Sequence, residues 1–427
     1  MKKRVLVYPC GTEIGLEIYK SLEYSTHYEV WGGSSTYDHG RFVYERHIDN
    51  LPFIDDNSDE KLVAEFNSII AQYGIDIIYP AMDGVVTIFA KYRQYMSAVV
   101  IAPDYSVAQI TRSKSATYNL LKNVVEIPRL YENVYEVEEF PCFMKPDVGQ
   151  GSKGAQLISS PIQLQGVRFG AGQMLVMENL PGAEYTVDCF TNNMGEIVYS
   201  RARTRRRIKG GISVNAVFVD KPELKDIAEK INKVLPQLGG WFFQVKEDKN
   251  GAFKLLEVAS RVAGASAITR ATGVNLPLLT VNAFMGINTD KVIVNDCYIE
   301  LDRALENRYI TDIEYDSVYV DFDDTLIVDG IVNLTMIKLI YQSINEGKKV
   351  MLLSRHTGSS LEKELENHHM SGLFDEVIKL TKFDKKSEYI TTEKPIFIDD
   401  SYGERNEVYE ALKIPVFDTH TVECLLK

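Results

Sequence analysis

The chain lacks the features that would place it in several broad classes. Its 427 residues include five cysteines, Cys10, Cys142, Cys189, Cys297 and Cys424, widely spaced, odd in number and without a CxxC pair. A disulfide framework is therefore not expected, and reduced thiols in the cytoplasm are. No stretch approaches the ~20 apolar residues of a membrane span, so no membrane partner is expected. Met1-Lys-Lys-Arg4 has the charge of a signal peptide, but the apolar run Val5–Tyr8 is too short for its hydrophobic segment. The seven histidines contain one adjacent pair, His368-His369, and no HExxH, so that pair reads as exposed helical residues rather than metal ligands. Basic excess is missing too: 47 Lys+Arg face 60 Asp+Glu, a net charge of -13. A duplex nucleic-acid partner needs the opposite sign. No low-complexity tract or repeat of ~20–50 residues is present.

What is present is a globular composition, 45% hydrophobic and 25% charged, with length for two to four domains at ~150 residues each. Residues 1–105 alternate strand and helix patterns, which implies a parallel sheet with helices on its faces. Arg4–Tyr8, Glu29–Trp31 and Ile75–Pro80 read as strands. Gly11-Thr-Glu-Ile-Gly15 turns into a helix that runs to about Leu22, and falls short of a dinucleotide fingerprint. A second block, 106–180, holds the strand Phe143–Pro146 and a loop, Gly149–Gly154. That loop is either a hairpin tip or a phosphate cradle, and it is not a Walker A motif.

In the third block, 181–305, Asp220-Lys-Pro-Glu223 reads as a capping box. Leu224, Ile227, Ile231, Val234 and Leu238 follow at helical spacing, with Gly239-Gly240 as the stop. Arg201, Arg203, Arg205, Arg206, Arg207 and Lys209 crowd one short stretch. Such a cluster in an acidic chain suggests a site for an anion over a solvated face. The fourth block, 312–427, alternates again, with strands at Val318–Val320, Val350–Leu353, Glu376–Leu380, Pro395–Ile398 and Pro415–Asp418. Several end on acidic or hydroxyl residues, where open parallel sheets bind ligands, and this looks like a magnesium site.

Taken in order, Ser113-Lys114-Ser, Phe143-Met-Lys145-Pro, the glycine loop, Met177-Glu178-Asn-Leu180-Pro-Gly-Ala-Glu184, Gln244 and Leu256-Glu257-Val-Ala-Ser-Arg261 resemble the ATP-grasp superfamily, most closely the carbamoyl-phosphate-synthase-like group. The resemblance implies an α/β fold with a parallel N-terminal domain and two α+β subdomains. It implies ATP and Mg2+ (or Mn2+) as cofactors, and small-molecule carboxylate and amine substrates. By it, Lys114, Lys145, Gly151 and Ser152 face phosphate, with Arg206, or its neighbour Arg205 or Arg207, complementing an acyl-phosphate or an anionic substrate; Glu178 and Leu180 hold adenine, and Glu184 takes the ribose. Gln244 and Glu257 hold the metal, and Arg261 is catalytic. The family continues from its metal glutamate with Asn and then Pro before the arginine; here Ala259 and Ser260 stand there, which removes one expected ligand.

Asp321-Phe-Asp323-Asp-Thr325, Leu352-Leu-Ser354, Lys385 or Lys386, and Ile396-Phe-Ile-Asp399-Asp400 resemble the four motifs of the haloacid dehalogenase superfamily. That implies a small Rossmann-like phosphatase acting on a phosphorylated metabolite. Asp321 is then the nucleophile, Asp323 the acid and base, Ser354 and Lys386 the charge stabilisers, and Asp321, Asp323 and Asp399 the magnesium site. Leu326–Asn333 reads as a hairpin turning on Asp329-Gly330, and the 28 residues between Thr325 and Ser354 leave no room for a large cap. The expected whole is a bifunctional cytoplasmic enzyme, compatible with a homodimer. The alternatives are an ATP-grasp phosphotransferase, or a nucleotide-binding regulatory module attached to a phosphatase.

Overall fold

The computed structural model describes every residue except Gln150, Ser152, Gly358 and Ser359. The chain divides into two compact units, Met1–Leu305 and Glu306–Lys427. In the first, β1 (Lys3–Tyr8), β2 (Tyr28–Gly33), β3 (His47–Ile48), β4 (Ile77–Pro80) and β5 (Val99–Val100) form a parallel sheet in the order β3-β2-β1-β4-β5. β1 is apolar from Val5 to Tyr8 because both faces of that stretch are covered. Val5 and Val7 meet Ile14 and Ile18 of α1 (Glu13–Leu22). Leu6 and Tyr8 meet Phe66 and Phe89 of α2 (Lys61–Tyr73) and α3 (Asp83–Tyr92). The Thr12 hydroxyl caps α1 by accepting from the Gly15 amide at 3.0 Å. A Cβ on Gly15 would lie 2.3 Å from the Cys10 carbonyl oxygen, so the Gly11–Gly15 spacing serves close helix–strand packing.

Two helices, α4 (Tyr105–Arg112) and α5 (Lys114–Leu121), lead to an antiparallel sheet of β6 (Leu130–Tyr131), β7 (Cys142–Pro146), β8 (Gln156–Ile158) and β9 (Met174–Glu178), ordered β6-β9-β7-β8. The largest sheet follows, with β10 (Glu184–Thr191), β11 (Ile197–Thr204), β12 (Arg207–Lys209), β13 (Ile212–Val219), β14 (Gly239–Glu247), β15 (Phe253–Ala259) and β16 (Glu300–Asp302). Its order is β12-β13-β11-β10-β14-β15, with β16 beside β13. Leu224, Ala228 and Ile231 of α6 (Pro222–Val234) pack on Trp241 and Phe243 of this sheet. Short α7 (Ala267–Ala271) and α8 (Leu276–Phe284) complete the unit.

The expected capping box at Asp220 does not form. Lys221 is the residue at the cap of α6, without a side-chain hydrogen bond, and the fixed φ of Pro222 starts the helix instead. α6 also ends before Leu238; Val234 is exposed, and Gly239-Gly240 open β14 rather than stop the helix.

The second unit is a parallel sheet ordered β21-β20-β17-β22-β23, from β17 (Ser317–Val320), β20 (Lys349–Ser354), β21 (Glu376–Lys379), β22 (Pro395–Ile398) and β23 (Val416–Phe417). Between β17 and β20 lie the hairpin β18 (Ile327–Val328) with β19 (Ile331–Val332), and α9 (Leu334–Asn345). Asp329 and Gly330 both take positive φ, 51° and 76°, as a two-residue hairpin turn of the primed type requires. α10 (Leu361–Asn367) and α11 (Tyr402–Leu412) complete it. His368-His369 follow the end of α10 rather than riding on it, His369 at φ 55°. Among the described residues no helix is long and apolar enough to cross a membrane.

Candidate active sites

A cleft of about 1150 Å³, counting its open mouth, lies in the first unit. β7 supplies Lys145, buried at 8% exposure, whose Nζ donates to the Tyr118 hydroxyl at 2.8 Å and the Leu256 carbonyl at 3.0 Å. Burial pushes its pKa down to about 8, against the opposing pull of Glu257, Glu184 and Asp147. Lys114 opens α5, and its Nζ donates to the carbonyls of Asp147 (3.4 Å) and Gly149 (3.3 Å); burial lowers its pKa as well. Asp147 ties the end of β7 to α5 by accepting from the Ser115 amide at 2.7 Å and the Gly172 amide at 2.7 Å.

Gln244 and Glu257 are cross-strand partners on β14 and β15, so their side chains share one face and both line the cleft. Arg261 also lines it, and donates twice to Asp83, from Nε to Oδ1 at 2.7 Å and from Nη2 to Oδ2 at 2.6 Å. The planar fork fixes the guanidinium in one orientation. Glu184, at the start of β10, lies 3.1 Å from Arg205 Nε, and both line the cleft. Beneath them Arg203 and Asp188 form a buried pair at 2.8 Å, with the Thr269 hydroxyl donating to Asp188 at 3.0 Å. Gly151, from the glycine loop, touches Gly211 so closely that a Cβ on Gly211 would lie 2.3 Å from the Gly151 carbonyl carbon. The lining cations Lys114, Lys145, Lys153, Arg203, Arg205 and Arg261 suit a polyphosphate.

Residues 171–302 match the sequence profile of a family described as "ATP-grasp in the biosynthetic pathway with Ter operon". The chain is also similar to the biotin carboxylase domain of the Hydrogenobacter thermophilus 2-oxoglutarate carboxylase, solved with MgADP, ADP and bicarbonate. That likeness has a TM-score of 0.55 at 14% identity, over 69% of this chain and 73% of that one. N5-carboxyaminoimidazole synthetase from Staphylococcus aureus, complexed with ADP, gives 0.55 at 15% identity, over 69% and 81%. The first unit has the ATP-grasp fold. The L-amino acid ligase of Bacillus licheniformis gives 0.52 at 14% identity, over 66% and 74%. Among curated proteins, none matches the chain by sequence.

Within the ATP-grasp unit several expected placements change. Arg206 does not line the cleft: its side chain is 55% exposed and lies 3.6 Å from Glu300, while Arg205 next to it turns inward. Both residues lie in the link between β11 and β12, where Arg205 meets Glu184 and Arg206 meets Glu300. Glu178 accepts from the Arg129 amide at 2.8 Å and Leu180 is buried; neither is part of the cleft lining. Ser152 lies outside the described residues. Ala259 packs with Phe242 and Ala263, and the Ser260 hydroxyl is 3.1 Å from that of Thr111, away from the cleft, so neither restores the missing ligand. Asp83 had no signal in the sequence, because it reaches the cleft from α3, an element without a motif, while Glu13 and Thr186 lie in or beside segments that were singled out for other residues.

In the second unit the carboxyl ends of β17, β20 and β22 converge. Lys386 Nζ donates to Asp321 at 2.7 Å and to Asp399 at 2.5 Å, all three side chains being under a tenth exposed. Lys385 is exposed, so Lys386 is the lysine brought to this site. Burial raises the Asp321 pKa to about 6, against the pull of Lys386. Carboxylate oxygens of Asp321, Asp399 and Asp400 lie within 4.8 Å of one another, a spacing that fits a hard cation. The Asp323 carboxylate is not in that group; it is half exposed and lies 2.9 Å from His356 Nδ1, which corrects its expected place as a metal ligand. Ser354 is buried, its hydroxyl accepting from the His356 amide at 3.2 Å. Asp400 was present in the fourth motif without a role, and His356 follows the second motif by two residues.

Proposed function

We propose that the ATP-grasp unit is an ATP-dependent carboxylate ligase. A substrate carboxylate oxygen attacks the γ-phosphorus of ATP, the bond to the β-phosphate oxygen breaks, and ADP leaves. An amine or thiol then attacks the acyl carbon of the acyl-phosphate and inorganic phosphate departs. The observation that carries this reading is the pairing of Gln244 with Glu257 on one face of a cleft that also holds Lys114, Lys145 and Arg261. Oxygen donors side by side fit Mg2+, which Gln244 and Glu257 would hold and which would supply charge neutralisation for the phosphates. Lys145 offsets phosphate charge from a buried position and Lys114 from a half-buried one, where each interaction is stronger than in water. Arg261, held by Asp83, presents a fixed cation to the transferred group. Gly151 and Gly211 let the glycine loop approach the opposite hairpin and exclude water. That the solved relatives with this fold include ADP complexes and an L-amino acid ligase supports the reading.

The second unit is, in the same proposal, a phosphomonoesterase of the haloacid dehalogenase type. Asp321 attacks phosphorus, the leaving alcohol takes a proton from Asp323, and Asp323 then deprotonates the water that cleaves the aspartyl-phosphate. Lys386 balances Asp321 and Asp399, and Asp399 with Asp400 completes the cation site. The two units act on one pathway, the phosphatase using a substrate or product of the ligase. In the test, wild type and Asp321→Asn are incubated with ATP and a metabolite extract, with hydroxylamine to trap acyl-phosphate. Hydroxamate formation in both, with a phosphorylated product accumulating only in the variant, is expected. ADP release without hydroxamate or amide would replace the ligase by a phosphotransferase. Identical product masses in the two proteins would separate the units functionally.

A further inference from the structure

One cluster in the first unit is not used by the nucleotide chemistry. Cys10 leaves β1, Asp38 follows β2 and His47 opens β3. A sulfur, a carboxylate oxygen and an imidazole nitrogen from these residues lie within 4.8 Å of one another. His47 supplies a second observation. Its side chain is only 9% exposed, and neither of its buried ring nitrogens has a hydrogen-bond partner. Nδ1 of the same ring lies 3.2 Å from Asp49 Oδ1, and Arg41 holds the other Asp49 oxygen at 2.8 Å. A carboxylate beside one ring nitrogen favours the proton there and leaves a lone pair on the other for a metal.

The other two donors are also held in place. Asp38 Oδ1 accepts from the Gly40 amide at 2.9 Å, and Oδ2 accepts from the Ser34 hydroxyl at 2.7 Å. The Ser34 oxygen is 3.2 Å from Cys10 Sγ. Two glycines make this approach feasible. A Cβ on Gly11 would lie 2.3 Å from Asp38 Cγ, and one on Gly40 would lie 2.2 Å from Cys10 Sγ. A buried cysteine that only packed as a small hydrophobe would require neither the unpartnered imidazole nor the glycine cradle.

We propose that Cys10, Asp38 and His47 bind one Zn2+. Thiolate, imidazole and carboxylate together select zinc, whereas Mg2+ prefers oxygen donors alone. On binding, the Cys10 thiol releases its proton to solvent and a sulfur–zinc bond forms. Three protein ligands leave a fourth tetrahedral position for Ser34 or a water. The ion fastens the turn from β1 to α1, from which Glu13 enters the nucleotide cleft.

The test uses the full-length protein, stripped with a chelator and titrated with Co2+ in excess Mg2+ without nucleotide, so that Gln244 and Glu257 do not compete. One equivalent of Co2+ is expected to give a near-ultraviolet thiolate charge-transfer band that one equivalent of Zn2+ abolishes. Cys10→Ser should remove the band, and Cys297→Ser should leave it. Competition with a chromophoric chelator should show zinc affinity weakened at least ~100-fold in His47→Gln and about 10- to 100-fold in Asp49→Asn. No band in the wild type, or a band that survives Cys10→Ser, overturns the site. Should Cys10→Ser fail to fold, unchanged zinc affinity in both His47→Gln and Asp49→Asn overturns it equally.

Discussion

Raising the pH should weaken nucleotide binding through Lys145. Its pKa is about 8 in the free protein because the ammonium is buried, and the charges of Glu257, Glu184 and Asp147 do not fully compensate. Bound phosphates favour the charged form and bring the group back towards its ordinary value of 10.5. The protonated protein therefore binds better, and affinity falls as pH rises between those two values. With these pKa values the dissociation constant for MgADP increases about 20-fold between roughly pH 7.5 and 9.5, equivalent to about 1.8 kcal/mol. Starting near pH 7.5 keeps the terminal phosphate, with a second pKa of about 6, ionised throughout. Isothermal titration calorimetry in buffers of different ionisation enthalpy should also report uptake of about 0.9 proton per nucleotide near pH 9. Lys145→Met should bind more weakly at pH 7.5 and keep only the shallower slope due to Lys114. A wild-type affinity flat within twofold, or a Met variant with the full slope, would refute the placement of Lys145 against phosphate.

Three further outcomes follow from the same geometry. Asp83→Asn should cost about 2–4 kcal/mol, because Arg261 is left without its anion, and lower the midpoint of thermal unfolding by several degrees. Burial works to raise the Asp83 pKa, but Arg261 prevails and the net direction is down; this stabilisation is thus present above the ordinary carboxylate pKa and lost as pH falls through the lower folded value. Gly211→Ala, at φ 80° and against Gly151, should raise the dissociation constant for MgADP by about 5- to 150-fold, from ~1–3 kcal/mol of strain, with circular dichroism unchanged. Lys386→Met leaves Asp321 and Asp399 buried without a cation and should destabilise the second unit by about 3–5 kcal/mol in urea unfolding.

Much of the architecture was legible locally. β1, β17 and β22 lie where short apolar runs placed them, since strands buried on both faces read as unbroken hydrophobic segments. The Asp329-Gly330 hairpin was legible because its turn type demands residues that tolerate positive φ. Local reading failed where two neighbours compete for one role. Asp220 and Lys221 both precede Pro222, and Arg205 and Arg206 face opposite ways on the same backbone. Asp323 likewise shares its loop with Asp321, yet only Asp321 is buried against Lys386.

The sequence by itself determined the alternation of elements, the lysine strand, the glycine loop and the aspartate motif, because each depends on residues a few positions apart. Only the tertiary structure decided which charges meet. Arg261 and Asp83 are 178 residues apart, and Lys386 and Asp321 are 65 apart. No spacing rule connects such pairs; burial selects them, since a charge withdrawn from water must find its counter-charge from whatever element packs beside it. The same holds for the five scattered cysteines, which carried no metal signature. Cys10 meets Asp38 and His47 because a parallel sheet brings the ends of consecutive strands together and because two glycines leave room for them to touch.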